Sequence, residues 1–371
     1  MSQPSTFSSA RVAIVHEWLT VPGGSEKVVL AMLDLFPQAE IFTSIYDPRP
    51  WPAEITERPV HASFLDRIPR AQRIYPKLLP LMNRAFESFD LSGFDLILSS
   101  NHSCAKNVFA PAGALHVCYC HTPMRHAWEP RFLEGETGPI PPALLKPMLA
   151  RLRRQDLAAS ARPDHFVANS QHVANRISKY YGRDAGVIHP PVDVEPLLGR
   201  PRSAGDYYLY LGRVIPYKRP DLAVAACKRL GRRLIVAGGG RATDRLRKIA
   251  GPDTEFRGEV SDDEVRELFA GARALLFPGE EDFGIVPVEA QAAGTPVIAY
   301  GVGGARESVI DGETGVLFDE QSEASLADAI ERFEASPLSE ARIRDNARRF
   351  SPARFEEEFA AFLEEIARVG L

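Results

Sequence analysis

The sequence lacks several features that would assign a protein to the membrane or to the secretory pathway. No run of eighteen apolar residues interrupts its 371 positions, which argues against a membrane-spanning helix. The opening segment, Met1–Ala10, is polar and uncharged, unlike a secretory signal, so we expect a cytoplasmic protein. Four cysteines are too few for a disulfide framework in a chain of this length, which agrees with a reducing compartment.

The signatures of several common nucleotide-binding enzymes are also missing. No GxGxxG segment follows a strand, which argues against a dehydrogenase, and there is no Walker P-loop. The net charge of −5 gives no indication of bulk nucleic-acid binding. This charge is uneven, because residues 1–185 carry 20 basic and 17 acidic side chains, whereas the remainder carries 24 and 32. The first part could therefore face an anionic surface, and the second part could not.

The composition that is present is typical of a globular enzyme. Hydrophobic residues make up 45% of the chain and charged residues 25%, and 371 residues fit two domains better than one core. Short apolar runs alternate with helical patterns along the whole chain. This alternation predicts the α/β class, with parallel sheets.

The stretch 271–318 contains the clearest strand–turn–helix pattern. Residues 274–277 (ALLF) predict a buried strand, and residues 296–300 predict the strand that follows it. We expect the intervening helix to begin at Pro287. Proline has no amide hydrogen, and at the first helical position that hydrogen would have no acceptor within the helix. Glu289 would then lie in the first turn, where the helix dipole favours a carboxylate.

This strand–turn–helix pattern predicts a ligand site at the carboxyl end of a strand. Helix starts favour anions, and open α/β sheets bind ligands at that edge. Because carboxylates do not bind phosphate, we expect Glu281 and Glu289 to bind hydroxyl groups. A site that joins phosphate-binding amides to hydroxyl acceptors suits a nucleotide-sugar. The amides in question belong to Phe283, Gly284, Ile285 and Val286.

A second phosphate-binding turn is predicted near the N-terminus. Residues 11–15 predict a strand, and residues 27–36 have the apolar spacing of a helix. The turn between them contains Gly23 and Gly24, and glycines allow backbone amides to approach a ligand closely. The alternative is a purely structural Gly-Gly turn.

A histidine follows another predicted strand. Residues 115–120 form this strand, and His121 comes directly after it, where a side chain can meet a ligand at the carboxyl edge. The alternative is a metal site that adds His116, Cys118 and Cys120. Zinc ligands usually show loop spacings such as CxxC, which favours the first interpretation.

Two cations follow the first predicted strand of the second half, residues 207–211. Arg213 and Lys218 are five positions apart. Together they could hold a diphosphate, the arginine through a bidentate fork and the lysine as a point charge. The alternative is a pair of ordinary surface charges.

A later strand supplies a candidate pocket for a nucleobase. Residues 254–260 predict this strand, and the backbone from Gly258 to Val260 could frame a base. Ser261 and Glu264 form a capping box, which predicts that a helix begins there.

Two segments of the first half are basic and amphipathic. Residues 63–89 and residues 144–162 both mix large apolar side chains with arginines and lysines. Such a surface is typical of contact with an anionic membrane, but also of a solvated helical face that covers a core. Binding to liposomes with and without anionic lipid would separate the two interpretations.

Together these motifs resemble the retaining glycosyltransferases of family four, which have the GT-B fold. The resemblance covers nearly the full length and rests on four elements in order. These are the turn 22–26, His121, Gly212-Arg213 with Lys218, and the EX7E element from Glu281 to Glu289. The segments HEWLTVPGGSEKV and YCHTPMRHAWEP are most similar to bacterial WbaZ-like mannosyltransferases of O-antigen and exopolysaccharide assembly.

The resemblance implies two Rossmann-like domains that face each other across a cleft. The N-terminal, acceptor-binding domain would span residues 1–187, and the C-terminal, donor-binding domain residues 188–351. A last helix, 352–371, would cross back onto the first domain. The stiff double proline within 187–193 is the candidate hinge between the domains.

The resemblance also implies a role for each site residue. Arg213 and Lys218 would hold the diphosphate, Glu281 the hydroxyls of the donor sugar, and Glu289 the ribose diol. His121 would approach the sugar near its reacting face. The implied catalytic residues are His121, Glu281, Arg213 and Lys218. Further donor contacts would come from Gly23, Gly24, Gly258, Val260, Phe283, Gly284, Ile285 and Val286.

The implied mechanism leaves no carboxylate free to act as a nucleophile, because Glu281 and Glu289 already bind hydroxyls. The family is thought to use a same-face displacement, in which the leaving diphosphate accepts the acceptor's proton. There is no Asp-x-Asp motif, so we expect no metal and no other cofactor, with Arg213 and Lys218 neutralising the leaving group.

The resulting hypothesis is a metal-independent retaining hexosyltransferase of cell-surface polysaccharide synthesis. It would move mannose from GDP-mannose onto a saccharide or a lipid-linked saccharide. Peripheral contact with an anionic membrane, at the inner face of the plasma membrane, is an open part of this hypothesis. The alternatives are UDP-glucose or UDP-N-acetylglucosamine as the donor, and a non-catalytic protein that binds nucleotide-sugars.

Overall fold

A computed structural model describes residues 5–129, 142–203 and 205–369, which form two compact units. Unit 1 runs to Pro191 and resumes at Pro352, and unit 2 spans Val192–Ser351. The boundary predicted between 187 and 188 is therefore slightly too early, because Ile188 is buried in unit 1 and its carbonyl accepts a hydrogen bond from Tyr119. The predicted outer limits, 1 and 371, lie outside the described residues.

Unit 1 is built on a parallel sheet with the strand order β3-β2-β1-β4-β5-β6-β7. Strands β1 and β5 correspond to the predicted runs 11–15 and 115–120, whereas the short edge strands β3 and β7 have no counterpart among the predictions. The strands are β1 (Val12–His16), β2 (Glu40–Thr43), β3 (Val60–Ala62), β4 (Leu96–Asn101), β5 (Leu115–Cys120), β6 (His165–Ala168) and β7 (Gly186–Val187).

Helices cover both faces of this sheet, because alternate residues of a strand point to opposite sides. In β1, Val12 and Ile14 pack in one apolar cluster, whereas Ala13 and Val15 pack in another. The helices are α1 (Gly24–Leu35), α2 (Ala53–Thr56), α3 (Ala71–Ile74), α4 (Leu79–Glu87), α5 (Arg125–Trp128), α6 (Pro142–Ala159) and α7 (Gln171–Tyr181). Short 3-10 turns span Ser5–Phe7, Phe64–Arg67, Tyr75–Leu78 and Ala105–Asn107.

Unit 2 repeats this plan with the strand order β10-β9-β8-β11-β12-β13, again all parallel. The chain reverses its direction of travel across the sheet between β8 and β11. The strands are β8 (Tyr207–Leu211), β9 (Arg233–Ala237), β10 (Thr254–Gly258), β11 (Leu275–Phe277), β12 (Val297–Tyr300) and β13 (Gly315–Phe318).

The helices of unit 2 lie on the two faces of its sheet. Leu275 and Phe277 of β11 pack in one apolar cluster and Leu276 in the other. The helices are α8 (Glu195–Leu198), α9 (Pro220–Leu230), α10 (Thr243–Ile249), α11 (Asp262–Gly271), α12 (Ile285–Ala292), α13 (Ala305–Ser308), α14 (Glu323–Ala335) and α15 (Glu340–Arg348), with a 3-10 turn at Pro216–Lys218. The predicted capping box is present at the start of α11, where Ser261 and Glu264 bond each other's backbone amides.

The last helix, α16 (Pro352–Val369), belongs to unit 1. Its residues Phe355, Phe359 and Leu363 recur at helical spacing and are almost fully buried in the same cluster as β1. Phe355 also contacts Tyr119 of β5, with ring centroids 5.6 Å apart. The prediction of two parallel α/β units, with a C-terminal helix on the first, is thereby confirmed. In the described ranges, no helix combines the length and the apolar content needed to cross a bilayer.

Candidate functional site

The candidate residues of unit 2 lie in loops at the carboxyl edge of its sheet, around the reversal point between β8 and β11. Open parallel sheets bind ligands at such points, because the loops on either side diverge and leave a crevice. Arg213 follows β8, and Glu281 follows β11. These two strands are direct neighbours in the sheet.

Lys218 and Glu281 are in direct contact across this reversal point. Lys218 Nζ lies 2.6 Å from Glu281 Oε1, and their side chains are only 16% and 21% exposed. Gly279 allows this approach, because a Cβ there would lie 2.9 Å from Lys218 Cα. The structure therefore joins two predicted site residues that are far apart in sequence. In this state the ammonium of Lys218 is neutralised by Glu281.

Arg213 lies at the same edge but points to a different partner. Its side chain is exposed, and Nη2 donates to the hydroxyl of Tyr217 at 3.0 Å. Its carbonyl accepts from Tyr210 at 3.1 Å, and the next amide, that of Val214, donates to Gly239 at 2.9 Å. The backbone around Arg213 is thus fixed while its guanidinium remains accessible.

The loop that carries Glu281 packs directly against two glycines that follow β12. The amide of Gly304 donates to the carbonyl of Glu281 at 2.9 Å, and Glu281 also bridges to Gly303. A Cβ on Gly304 would overlap the backbone of Phe283. Gln321 donates to the carbonyl of Pro278 at 2.9 Å and holds the start of the loop. This packing fixes the position of Glu281.

Helix α12 begins earlier than the sequence predicts. Gly284 is its N-cap, with a φ of 86° that favours glycine, and Ile285 is the first helical residue. Pro287 is therefore the third helical residue rather than the first, and Glu289 lies beyond the first turn. Ile285 and Val286 have amides with no acceptor inside the helix, as the predicted anion site requires. The side chain of Phe283 is buried in the core, 5.5 Å from the ring of Phe350.

Gly258 is the last residue of β10, and Val260 follows two residues later, farther along the same edge. The carbonyl of Gly258 accepts from Gly238 at 2.6 Å, and a Cβ on Gly238 would overlap Gly212. The loops after β8, β9 and β10 therefore pack against each other through glycine backbone. Val260 is partly buried against one core cluster.

In unit 1, the predicted Gly-Gly turn stands at the start of α1. Gly24 is the first helical residue, and Gly23 is the N-cap, with no side-chain cap. A Cβ on Gly23 would lie 3.0 Å from Oε2 of Glu26, so the glycine makes room for that carboxylate. Glu26 is buried, and burial raises the pKa of its carboxyl. The hydrogen bond and the electrostatic effect of His16, with smaller contributions from the amide of Glu26 and from Ser25, outweigh this effect and lower the pKa to about 2.

His121 follows β5, as predicted, and three further polar side chains reach it from behind. Ser100 Oγ lies 2.9 Å from His121 Nε2 and 3.1 Å from His16 Nδ1. His16 Nε2 in turn lies 3.0 Å from Glu26 Oε1. No sequence motif predicted a role for His16, Ser100 or Glu26. Their only signal is that His16 and Ser100 are polar residues inside buried strands.

A buried ion pair supports the segment that follows His121. Lys106 bonds Asp156, and both side chains are fully buried. Asp156 also accepts from Trp128 Nε1 at 2.6 Å and from the Tyr181 hydroxyl at 2.7 Å. Burial lowers the pKa of Lys106, but the charge and hydrogen bond of Asp156 outweigh burial and raise it. This arrangement fixes Trp128 by packing, with its ring 4.7 Å from that of Tyr180.

The strand face considered for a metal holds buried thiols. Burial raises the pKa of Cys118 to about 12, and His116 Nε2 lies 2.9 Å from Ser99 Oγ. Within the described residues, no group of three metal-binding side chains is suitably placed. The role of His121 as a ligand-contacting residue stays a prediction.

The basic segment of residues 63–89 forms the short helices α3 and α4 and two 3-10 turns. Its apolar residues divide between core and surface: Met82 and Phe86 are buried, whereas Phe64 and Leu81 are 42% and 46% exposed. The exposed basic side chains of this segment are Arg67, Arg70, Arg73, Lys77 and Arg84. Across the part of the chain that the structure describes, none of these five pairs with a carboxylate.

Comparison with known families places glycosyltransferase domains on both units. The profile described as "Glycosyltransferase Family 4" matches residues 22–196, and the profile described as "Glycosyl transferases group 1" matches residues 200–350. Each match lies almost entirely within one of the two structural units.

Curated relatives share part of the sequence. D-inositol 3-phosphate glycosyltransferase of Streptomyces bingchenggensis is 33% identical over 208 residues, which cover 47% of this chain and 46% of the relative. The same-named protein of Mycobacterium bovis is 32% identical over 223 residues, 52% of this chain and 44% of the relative. The chain thus spans about half the length of the curated relatives it matches.

Solved structures share the fold over almost the whole chain. Anabaena HepE in complex with UDP and glucose has a TM-score of 0.71 at 18% identity, and covers 95% of this chain and 99% of that one. Sucrose-phosphate synthase from Thermosynechococcus elongatus has a TM-score of 0.70 at 19% identity, covering 97% and 100%. The lipopolysaccharide outer core galactosyltransferase WaaB has 0.67 at 18%, covering 95% and 99%. These likenesses, together with the two parallel-sheet units, confirm the predicted GT-B class.

Proposed function

We propose that this chain, in which a Glycosyltransferase Family 4 domain is followed by a group 1 glycosyltransferase domain, moves a hexose from a nucleotide-sugar to an acceptor hydroxyl. The observation that carries the proposal is the contact of Lys218 with Glu281 at the reversal point of the unit 2 sheet, beside the start of α12. A cation, an acid and helix-start amides are gathered there, and each suits a different part of a sugar diphosphate.

The proposed division of labour follows the chemistry of each group. Arg213 and Lys218 bind the diphosphate, together with the amides of Ile285 and Val286. Glu281 binds hydroxyls of the transferred sugar, and Glu289 binds the ribose diol. The backbone from Gly258 to Val260 lines the base. On unit 1, Gly23 and Gly24 admit the donor, and His121 contacts the sugar.

The proposed reaction retains the anomeric configuration. The bond from the acceptor oxygen to the anomeric carbon forms on the face from which the diphosphate leaves, and the acceptor's proton passes to a diphosphate oxygen. Arg213 and Lys218 neutralise the charge that develops on the leaving group. Losing one side chain that stabilises such charge typically lowers the rate roughly 10²–10³-fold.

We propose GDP-mannose as the donor and a saccharide or lipid-linked saccharide of a cell-surface polysaccharide as the acceptor, on the strength of the family resemblance. UDP-glucose and UDP-N-acetylglucosamine are the second candidates, because a protein of the same fold was solved in complex with UDP and glucose. A panel of nucleotide-sugars, assayed for release of nucleoside diphosphate, tests both. Release with GDP-mannose alone would support the first candidate.

Two further measurements test the proposal itself. Calorimetric binding of GDP or UDP without turnover of any donor would favour the non-catalytic alternative. Lys218→Ala should lose about 10²–10³-fold in turnover, whereas Lys248→Ala, an exposed lysine of the same unit, should lose almost nothing. Equal effects of the two substitutions would contradict the assignment of Lys218.

We also propose that turnover requires no metal ion, since Arg213 and Lys218 supply the positive charge that a metal otherwise would. Dialysis against EDTA should leave the rate unchanged, and Mg²⁺ should not raise it. A rate that falls on chelation and returns with Mg²⁺ would overturn this part of the proposal.

The basic segment of unit 1 supports a peripheral contact with an anionic membrane, as at the inner face of the plasma membrane. Five basic side chains that pair with no carboxylate of the described residues lie there with exposed Phe64 and Leu81. Each basic side chain near such a surface contributes about 1 kcal/mol. Replacing Arg73 and Lys77 by glutamate should weaken binding to anionic vesicles by at least about tenfold. Lys248→Glu is the matched control. Binding that does not depend on lipid charge would exclude this contact.

A further inference from the structure

The residue that follows Lys218 has a rare backbone conformation. Arg219 has a φ of 53° and a ψ of 42°, in the left-handed region, and among the described non-glycine residues only Arg70 also has a positive φ. A residue with a Cβ adopts this region at a cost in free energy. Pro220, which follows, favours extended backbone at position 219. Two local preferences are therefore overridden directly beside a residue of the proposed diphosphate site.

Contacts of the Arg219 side chain hold this conformation. Its Nε lies 3.0 Å from Asp221 Oδ1 and its Nη2 lies 2.9 Å from Asp221 Oδ2, so the two side chains form a bidentate pair. Its Nη1 donates to the backbone carbonyl of Gln321 at 3.4 Å. All three nitrogens of the guanidinium are thus engaged, although 30% of the side chain is exposed.

The backbone of Arg219 is hydrogen-bonded on both sides as well. Its amide donates to the carbonyl of Pro216 at 3.0 Å, and its carbonyl accepts from the amide of Leu222 at 3.1 Å. The first bond closes the 3-10 turn that carries Lys218, and the second lies at the start of α9. A change of backbone conformation at Arg219 would disturb both bonds and would redirect the chain on which Lys218 lies.

Gln321 extends these contacts to the loop that follows β11. Its side-chain amide donates to the carbonyl of Pro278 at 2.9 Å, while its own carbonyl accepts from Arg219. The next residue is Gly279, and a Cβ there would lie only 2.9 Å from Lys218 Cα. Arg219 and Gln321 therefore connect the loops that follow β8, β11 and β13, and the backbone of Lys218 packs against one of these loops.

We propose that Arg219 is a positioning residue that directs the ammonium of Lys218 toward the diphosphate of the donor. The contacts with Asp221 and Gln321 keep the left-handed backbone in place, and this backbone sets the direction of Lys218. The proposal rests on the proposed function and deepens it, because it adds a residue that acts on the diphosphate through another. The competing interpretation is that Arg219 itself binds the diphosphate as a further cation.

Replacing Arg219 by alanine or by glycine separates these two roles. Both substitutions remove the charge, but only glycine adopts the left-handed region without a cost. The difference corresponds to a factor of roughly 5 to 30 in the population of this conformation. A positioning residue predicts that Arg219→Gly retains the binding that Arg219→Ala loses. A further cation predicts the same loss in both variants.

Calorimetry measures this difference with whichever of GDP and UDP the wild type binds. The Kd should rise roughly 5- to 30-fold in Arg219→Ala and by less than about threefold in Arg219→Gly. Arg229→Ala replaces an exposed arginine at the other end of α9 and should change the Kd by less than about twofold. Equal losses in the alanine and glycine variants, or no loss in either, would refute the proposal.

Asp221→Asn tests the same contacts from the other partner, with an opposite sign for the two roles. If Asp221 holds Arg219 in place, its loss should raise the Kd of the diphosphate at least about threefold. If Arg219 were a phosphate ligand, removal of the competing carboxylate would lower the Kd, and that result would contradict the proposal. Asp244→Asn removes an exposed acid from the first turn of α10 and is the matched control.

The dependence on Lys218 separates positioning from a general effect on the fold. In a Lys218→Ala background, Arg219→Ala should change the Kd by less than about twofold, because the side chain that it positions is gone. A residue that supports unit 2 as a whole, or that binds phosphate itself, would lose the same factor in both backgrounds. Equal losses in the two backgrounds would therefore overturn the proposal.

Hydrogen exchange of the ligand-free full chain tests the positioning contacts without any donor. The amides of Lys218, Arg219 and Leu222 donate to backbone carbonyls within residues 215–222, so the peptide that covers them reports local opening. After correction for intrinsic rates, exchange should be roughly 5- to 30-fold faster in Arg219→Ala and close to wild type in Arg219→Gly. Exchange at the wild-type rate in Arg219→Ala would refute the proposal. If the wild type binds neither GDP nor UDP, the proposed function fails, and hydrogen exchange still decides whether Arg219 holds the turn of Lys218.

Discussion

Replacing Glu281 by glutamine is expected to move nucleotide binding and sugar transfer in opposite directions. In the ligand-free protein Glu281 neutralises Lys218 at 2.6 Å, so a diphosphate must compete with this carboxylate for the ammonium. Glutamine has the same shape but no charge, and it leaves Lys218 unneutralised. The sugar, in contrast, loses a charged hydrogen-bond acceptor.

The size of each effect can be worked from the contact. Exposed ion pairs contribute about 0–1 kcal/mol. With side chains only 16% and 21% exposed, this pair is less screened, and we assign it about 1–2 kcal/mol. At about 1.4 kcal/mol per tenfold, the Kd for GDP should fall roughly 5- to 30-fold. Losing a hydrogen bond to a charged group costs about 1.5–3 kcal/mol, so kcat/KM should fall roughly 10- to 150-fold.

Isothermal titration with GDP and UDP measures the first effect, and donor turnover measures the second. Glu320→Gln removes the same charge from an exposed position of unit 2 and should change both quantities by less than about twofold. Weaker binding of both diphosphates in Glu281→Gln would show that Glu281 does not compete for Lys218. Unchanged turnover would remove Glu281 from the sugar site.

Three further predictions concern the framework around the site. Asp156→Ala should lower the free energy of unfolding by about 3–5 kcal/mol in urea denaturation, because it leaves the ammonium of Lys106 buried without its partner. Adding Lys106→Met should restore part of this loss, because it removes that ammonium. Gly304→Ala should displace the loop of Glu281 and weaken GDP binding by about 1–3 kcal/mol in calorimetry, whereas Gly199→Ala, with open space around it, should not. The pKa of Glu26 falls from 4.5 to about 2 on folding, so the carboxylate stabilises the fold above about pH 4.5. This contribution, at most about 3 kcal/mol, should disappear from urea midpoints between pH 5 and 2, and in Glu26→Gln that dependence should be absent.

Local sequence patterns predicted most of the fold. Apolar runs such as 115–120 and 207–211 correspond to β5 and β8 residue for residue. The short edge strands β3 and β7 were missed, because two or three residues carry no periodicity. The start of α12 was misplaced because proline at the first helical position is only a preference, and Gly284 provides the N-cap instead.

The candidate site of unit 2 was predicted where its residues directly follow strands. Arg213 and Glu281 could be placed at one sheet edge, because parallel strands end at the same edge. The contact between Lys218 and Glu281 could not be predicted, because it depends on how two loops pack through Gly279 and Gly304. From the family resemblance, the two side chains were expected to bind separate parts of the ligand. In the structure they form an ion pair with each other.

The hydrogen-bonded chain behind His121 shows a different limit. Its members are separated by 10, 84 and 21 positions, and no motif spans such distances. A weaker signal does exist, because strands that are covered on both faces are normally apolar throughout. His16, Ser99, Ser100 and His116 interrupt that pattern, and buried polar groups are almost always hydrogen-bonded. The interruptions therefore predict that these residues have partners inside the sheet. Only the register of β1, β4 and β5 decides that Ser100 leads to His121 while Ser99 leads to His116.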